Sequence, residues 1–191
     1  MLVINRLSIK LSTMKKLLFI VSLFVLVACQ KESEAPEENS TEESASTPGT
    51  STGSNAIVYN VNKNTMLQLI NDVRSKGCNC GSTIMPPVGK LEWNDKLAKA
   101  GYLHSVDMNA KNYFSHTSQD GRSPGDRITA QGFNWSAYGE NIARGQSNEA
   151  AVMNSWLNSE GHCKNIMNGR FKYVGVGMQN KYWTQVFGTL R

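Results

Sequence analysis

Apolar positions recur at one period in the middle of the chain and at another near its end. Met66, Leu69, Ile70 and Val73 return at three- and four-residue steps, the spacing that lines one face of an α-helix, and Gly77 supplies a stop after them. Residues 81–90, with Pro86-Pro87 among them, read as a loop. Asn94 can cap a helix over 95–112, in which Leu97, Gly101, His104 and Met108 fall on one stripe. Residues 118–124 are turn-forming, and 124–131 predict a short helix. Ser147 can cap a further helix with Val152, Met153, Trp156 and Leu157 as its apolar face and Gly161 as its end. The period then falls to two. Val174-Gly175-Val176-Gly177-Met178 and Tyr182-Trp183-Thr184-Gln185-Val186-Phe187 predict two strands joined by Gln179-Asn180-Lys181. Gly175 and Gly177, alternating with valines, mark close packing on one sheet face. Helices followed by strands predict an α+β layered domain over 57–191 and exclude a Rossmann-type βαβ repeat.

The N-terminus follows a different logic. Lys15-Lys16 precedes an apolar run over 17–27, shorter than the roughly 20 residues of a spanning helix. The run ends at Leu26-Val27-Ala28-Cys29. A charged start, an apolar core and small residues before a cysteine resemble a bacterial lipoprotein signal. Residues 1–28 are therefore expected to be a signal peptide and Cys29 to be lipidated, which makes a membrane the first expected partner and the cell envelope the expected location. Gln30, not aspartate, follows Cys29, which points to the outer membrane in a two-membrane bacterium. Residues 29–56 hold six glutamates among Ser, Thr, Pro and Gly and no large apolar side chain. Such a stretch buries too little surface to offset its ordering entropy and is expected to be a flexible tether.

Charge is segregated in the same way. The formal net charge of +5 combines a basic leader, an acidic tether and a modestly basic domain. No long basic run or aromatic-interleaved patch accompanies the excess, so nucleic acid is not an expected partner.

With Cys29 assigned to lipid, Cys78, Cys80 and Cys163 remain. An exported chain permits disulfides, and an odd count leaves one bridge and one free thiol. The expected bridge joins Cys163 to Cys80 or to Cys78. A Cys78–Cys80 ring would be strained, and zinc held by Cys78, Cys80 and Cys163 ranks below the bridge because the spacing is not the usual one.

The only three histidines occupy distinctive segments: His104-Ser105-Val106-Asp107-Met108, Tyr113-Phe114-Ser115-His116-Thr117 and Gly161-His162-Cys163. With Gly121-Arg122-Ser123-Pro124, Gly139-Glu140-Asn141-Ile142-Ala143, Trp156-Leu157-Asn158-Ser159, Asn165-Ile166, Val174-Gly175-Val176-Gly177 and Tyr182-Trp183-Thr184-Gln185, they stand in the order and spacing of the CAP superfamily. That superfamily comprises cysteine-rich secretory, antigen 5 and pathogenesis-related proteins and is also called the SCP domain; the chain resembles its bacterial members over about residues 65–188. The resemblance implies a three-layer α-β-α sandwich with an antiparallel sheet. It also implies a cavity lined by two histidines and two acids. By position the histidines are His116 and His162 and the first acid is Glu140. The second acid falls at Ser159, with Glu160 beside it.

Two neutral imidazoles, His116 and His162, with a carboxylate suit a divalent ion such as zinc, whose bound water becomes acidic near neutrality. Without metal, Glu140 beside an imidazole forms an orienter-and-base pair, making His116, Glu140 and His162 the catalytic set of a hydrolase. No nucleophile elbow accompanies them. A binding module is therefore expected first, its cavity of His104, His116, Glu140, Ser159, Glu160 and His162 holding a lipid, peptide or cell-wall ligand. A peptidase or esterase is the alternative, and an interaction protein with a vestigial site the third. His104, on an apolar stripe, is expected to be a hydrogen-bonded core residue with Asp107 as partner or cap, and Asn141 to tie down a loop.

Overall fold

The computed structural model describes residues 57–191; the signal segment, Cys29 and the tether expected up to residue 56 lie outside the described residues. The elements run β1 (Ile57–Val58), β2 (Val61–Asn62), α1 (Lys63–Lys76), β3 (Cys78–Cys80), β4 (Thr83–Met85), β5 (Glu92–Trp93), α2 (Asp95–Ala110), α3 (Pro124–Ala130), β6 (Trp135–Arg144), α4 (Glu149–Leu157), α5 (Glu160–Ile166), β7 (Tyr173–Gln179) and β8 (Tyr182–Leu190). Among the described residues, no helix is long and apolar enough to cross a membrane.

A four-stranded sheet in the order β5-β7-β8-β6 forms the middle layer. The β6–β8 and β7–β8 pairs are antiparallel, whereas the two-residue β5 runs parallel to β7 at one edge. β7 returns into β8 through Asn180 and Lys181 alone, both at positive φ (47° and 64°), the conformation that a two-residue hairpin turn demands.

Alternation along the strands sorts the core. Val174, Val176, Trp183 and Phe187 point to one face and pack with Met66, Ile70, Val152, Trp156 and Ile166 from α1, α4 and α5. Val186 points to the other face and packs with Leu97, Ala100 and Ile128 of α2 and α3 and with Phe133. The result is the α-β-α sandwich. Between the valines of β7, the glycines let α2 lie on the strand itself. A Cβ at Gly175 would sit 2.0 Å from the Ala98 nitrogen, and one at Gly177 2.4 Å from the Tyr102 backbone. Gly101 completes the contact from the helix side, 2.7 Å from the Thr184 carbonyl oxygen on the same measure.

Several expected boundaries differ. The stretch expected as a loop over 81–90 contributes β4, which pairs with β3 in an antiparallel hairpin. The cap of α4 is Asn148, whose side chain accepts from Ala151 N at 2.9 Å, and not Ser147. α4 ends at Leu157, and Gly161 lies inside α5 instead of closing α4. Asn141, expected to tie down a loop, lies in β6 and ties down the backbone of α5 at the His162 carbonyl.

Candidate functional site at the edge of the sheet

β6 is an edge strand, and period-two alternation turns neighbouring residues to opposite faces. Glu140 pairs in register with Val186 and faces the α2–α3 layer, while Asn141 pairs with Gln185 and faces the α5 layer. Each residue anchors one half of the site.

On the first face, the Glu140 side chain is 3% exposed, and both of its oxygens are engaged. Oε2 accepts from Arg127 Nη2 at 2.7 Å, and Oε1 lies 2.9 Å from His116 Nδ1. Arg127 belongs to α3, which Ser123 and Asp126 start with a reciprocal capping box and Pro124 at its first turn. The same guanidinium donates to Ser118 Oγ (3.1 Å), to the Arg122 carbonyl (3.0 Å) and to the His116 carbonyl (2.9 Å). It therefore holds both the carboxylate and the loop that carries the histidine. His104 supports that loop from behind. Fully buried on α2, its Nε2 lies 2.9 Å from the Ser115 carbonyl oxygen, which can only accept. The proton is thus on Nε2, and burial pulls the His104 pKa below its ordinary value. Asp107 is not its partner; it binds Lys111 at 2.7 Å and takes the Tyr113 hydroxyl. A cavity of about 30 Å³ lies behind the loop, lined by His104, Asp107, Ser118, Arg122 and Arg127 among others.

On the second face, Asn141 fixes α5. Its Nδ2 donates to the His162 carbonyl (3.1 Å) and to Gln185 Oε1 (2.9 Å), and its Oδ1 accepts from Asn165 Nδ2 (2.9 Å). Arg74 of α1, fully buried, holds the far end of the same helix by donating to the Ile166 carbonyl (2.6 Å) and the Asn168 carbonyl (3.0 Å). A cation at a helix C-terminus meets the negative end of its dipole. Burial lowers the Arg74 pKa to about 10, still well above neutrality. α5 in turn presents His162, whose pKa is lowered by burial and by the nearby His116, both of which favour the neutral ring.

The structure thus brings His116 and Glu140 into contact and places His162 within electrostatic reach of His116. Glu160 does not join this group. Its carboxylate is exposed, 2.6 Å from Lys164 Nζ and 3.5 Å from Thr83 Oγ1, because an acid at the first turn of α5 meets the lysine four residues on. Ser159 is the N-cap residue of α5 but makes no side-chain capping bond. Of the two disulfide pairings, Cys80–Cys163 forms and Cys78 keeps its thiol. Arg127, Arg74 and Asn165 were not expected from sequence. The one signal for Arg127 was its place beside Ile128 in a capped seven-residue helix, where a buried face has few positions to choose from.

The chemistry follows from the hydrogen bonds. The Nδ1–H of His116 serves the carboxylate, so the half-exposed ring offers Nε2 outward. A carboxylate behind an imidazole is the usual outer support of a metal-bound histidine, and imidazole nitrogens such as those of His116 and His162 are of the donor type that zinc accepts. Glu140 has no oxygen to spare as a ligand. Two protein donors are one fewer than catalytic zinc sites use, so such an ion needs water or ligand atoms to complete its shell.

A family model for the cysteine-rich secretory protein (CAP) family matches residues 67–187. An uncharacterized membrane protein, YlbC, from Bacillus subtilis (strain 168) is 41% identical over 100 residues, covering 52% of this chain and 29% of that one. The uncharacterized protein YkwD of the same strain is 42% identical over 99 residues, covering 51% and 38% respectively. The chain spans about a third of the length of these curated relatives. Among solved structures, an extracellular protein containing a SCP domain from Bacillus anthracis str. Ames is similar at 34% identity and a TM-score of 0.55, covering 65% of this chain and 40% of that one.

Proposed function

The chain belongs to the cysteine-rich secretory protein (CAP) family, and from that premise we propose that it is an exported binding module, anchored by lipid at Cys29 in the cell envelope. The His116–His162 face takes a lipid, a peptide or a cell-wall fragment, with a divalent ion such as zinc as an accessory. The observation that carries this reading is the occupancy of Glu140. Its Oε2 is committed to a buried guanidinium and its Oε1 to an imidazole, so neither oxygen is turned toward a substrate or an attacking water. Nor, among the described residues, is either candidate paired with the His116–Glu140 unit as a nucleophile: Ser115 Oγ accepts from the Thr117 amide, and Cys163 is bridged. The likeness to an extracellular SCP-domain protein and to a membrane protein supports the location.

The test is thermal unfolding after chelation, with and without zinc, beside a His116→Ala/His162→Ala variant. A ligand specific to the native state at about a hundredfold over its Kd adds roughly 2.7 kcal/mol. The expected result is an upward shift in the parent that the variant loses. No shift in either protein removes the ion from the proposal, and absence of binding to anionic lipid vesicles and to cell-wall peptides as well would sink the binding reading.

A hydrolase is the second reading, favoured by the same 2.9 Å His116–Glu140 contact, in which the carboxylate orients the ring and Nε2 takes a proton from water. Glu140→Gln would then abolish turnover of peptides or esters while leaving the fold intact. Equal turnover by that variant rejects the hydrolase.

A further inference from the structure

Where β3 meets α5, three sulfur atoms lie within 4.8 Å of one another. Alternation along β3 places Cys78 and Cys80 two residues apart on one side of the strand, and α5 brings Cys163 against them. Cys80 and Cys163 form the bridge, and the Cys78 thiol rests 3.6 Å from Cys163 Sγ and 3.9 Å from Cys80 Sγ. A disulfide needs two of these atoms and gains nothing from the third. Cys78 is half-buried at the side of a largely apolar groove of about 190 Å³ lined by Val73, Gly77, Asn79 and Leu157 among others.

We propose that, once the Cys80–Cys163 bond is reduced, Cys78, Cys80 and Cys163 form a binding site for a thiophilic metal ion of the Zn²⁺ class. The spacing fits the ion. Sulfurs about 2.3 Å from a tetrahedral zinc stand roughly 3.8 Å apart, and the two non-bonded separations here are 3.6 and 3.9 Å. Reduction frees the third pair to open to the same distance by side-chain rotation, with β3 and α5 left in place. The fourth position goes to water or an exogenous donor reached through the groove.

The reaction is balanced as follows. A dithiol donor passes two electrons and two protons to Cys80 and Cys163 and itself becomes a disulfide. The metal then displaces three thiol protons, one from each cysteine. Burial raises the Cys78 pKa, so at neutral pH it is the ion that removes its proton. Bridge and metal are mutually exclusive occupants of the same atoms. Loading is therefore gated by the thiol–disulfide balance of the compartment, and it is independent of His116 and His162.

The experiment uses the full chain carrying Cys29→Ser, reduced with a phosphine without oxygen and then titrated with Cd²⁺, whose thiolate charge-transfer absorption counts bound sulfurs. One equivalent with a three-thiolate band is expected in the reduced protein, none in the oxidised protein, and the same band in His116→Ala/His162→Ala. Cys78→Ser should lose about a third of the band and bind at least tenfold more weakly. Undiminished binding by Cys78→Ser, or no band in folded reduced protein, overturns the proposal. If reduction unfolds the chain, the burial of Trp156 and Trp183 gives a fluorescence readout. Zn²⁺ must then restore the native signal in the parent and not in Cys78→Ser, and failure to restore it also overturns the site.

Discussion

Replacing Arg127 with methionine keeps the length of the side chain and removes its charge. In the folded protein this strips Glu140 of its partner at 2.7 Å, in a setting where the two side chains are 5% and 3% exposed. Solvent cannot substitute at such exposure, and His116 Nδ1 is left as the only donor to the carboxylate. Three further bonds, to Ser118, Arg122 and His116, are lost with the guanidinium. Breaking a buried pair from one side typically costs about 3–5 kcal/mol, most of it from the charge left behind. Glu140→Gln creates the converse defect and is expected to cost about 2–3 kcal/mol, because the amide oxygen still accepts from Arg127. In the double variant neither charge is buried, so the combined loss should fall short of the sum by about 2 kcal/mol. Urea unfolding of all four proteins measures this, provided the slope stays constant. A loss below about 1 kcal/mol for Arg127→Met, or additivity within about 0.5 kcal/mol, would refute the reasoning.

Other expectations follow from the same structure. His104 and His162 both have lowered pKa values in the fold, so the unfolded chain binds more protons; stability is full above the unfolded value of about 6.5 and declines as pH falls below it. The unfolding midpoint should drop between pH 7 and pH 5, less steeply in His104→Gln, and a flat parent profile counts against the assignment. Gly177→Ala forces a Cβ to within 2.4 Å of the Tyr102 backbone and should cost at least about 1–3 kcal/mol; a neutral result in thermal unfolding would mean that α2 sits further from the sheet. Alkylation followed by mass spectrometry should label Cys78 before reduction and Cys80 and Cys163 only after it. The Cys80–Cys163 bridge has a sequence separation of 83; by loop entropy, removing it through Cys163→Ser should cost roughly 4–5 kcal/mol.

Segments with one wet and one dry face were legible in the sequence. α1, α2 and the β7–β8 hairpin show a single period, and their positions hold to within a few residues. β6 was not visible, because at Glu140 and Asn141 it turns polar side chains to both layers, and no alternation survives that. The β3–β4 hairpin is too short, at three residues a strand, to carry a period. The Glu140–His116 contact was anticipated from resemblance, whereas the residues that hold it were not. Arginine is read as solvated wherever it falls, and only tertiary packing reveals that Arg127 and Arg74 are buried cations. Glu160 erred in the opposite direction: a local lysine claims it more cheaply than the site could.

The two halves of the histidine face hang from different layers, with one strand between them. Their separation behaves like the jaws of a caliper whose frame is the sheet: Glu140 and Arg127 grip one jaw, Asn141 and Arg74 the other. The loop bearing His116 can be lengthened or recoloured by mutation without moving the jaws, provided the backbone around Ser115 and His116 still reaches His104 and Arg127. A ligand that bridges the two rings would couple the outer helical layers mechanically, making the sandwich of helices on a sheet harder to shear than either layer alone.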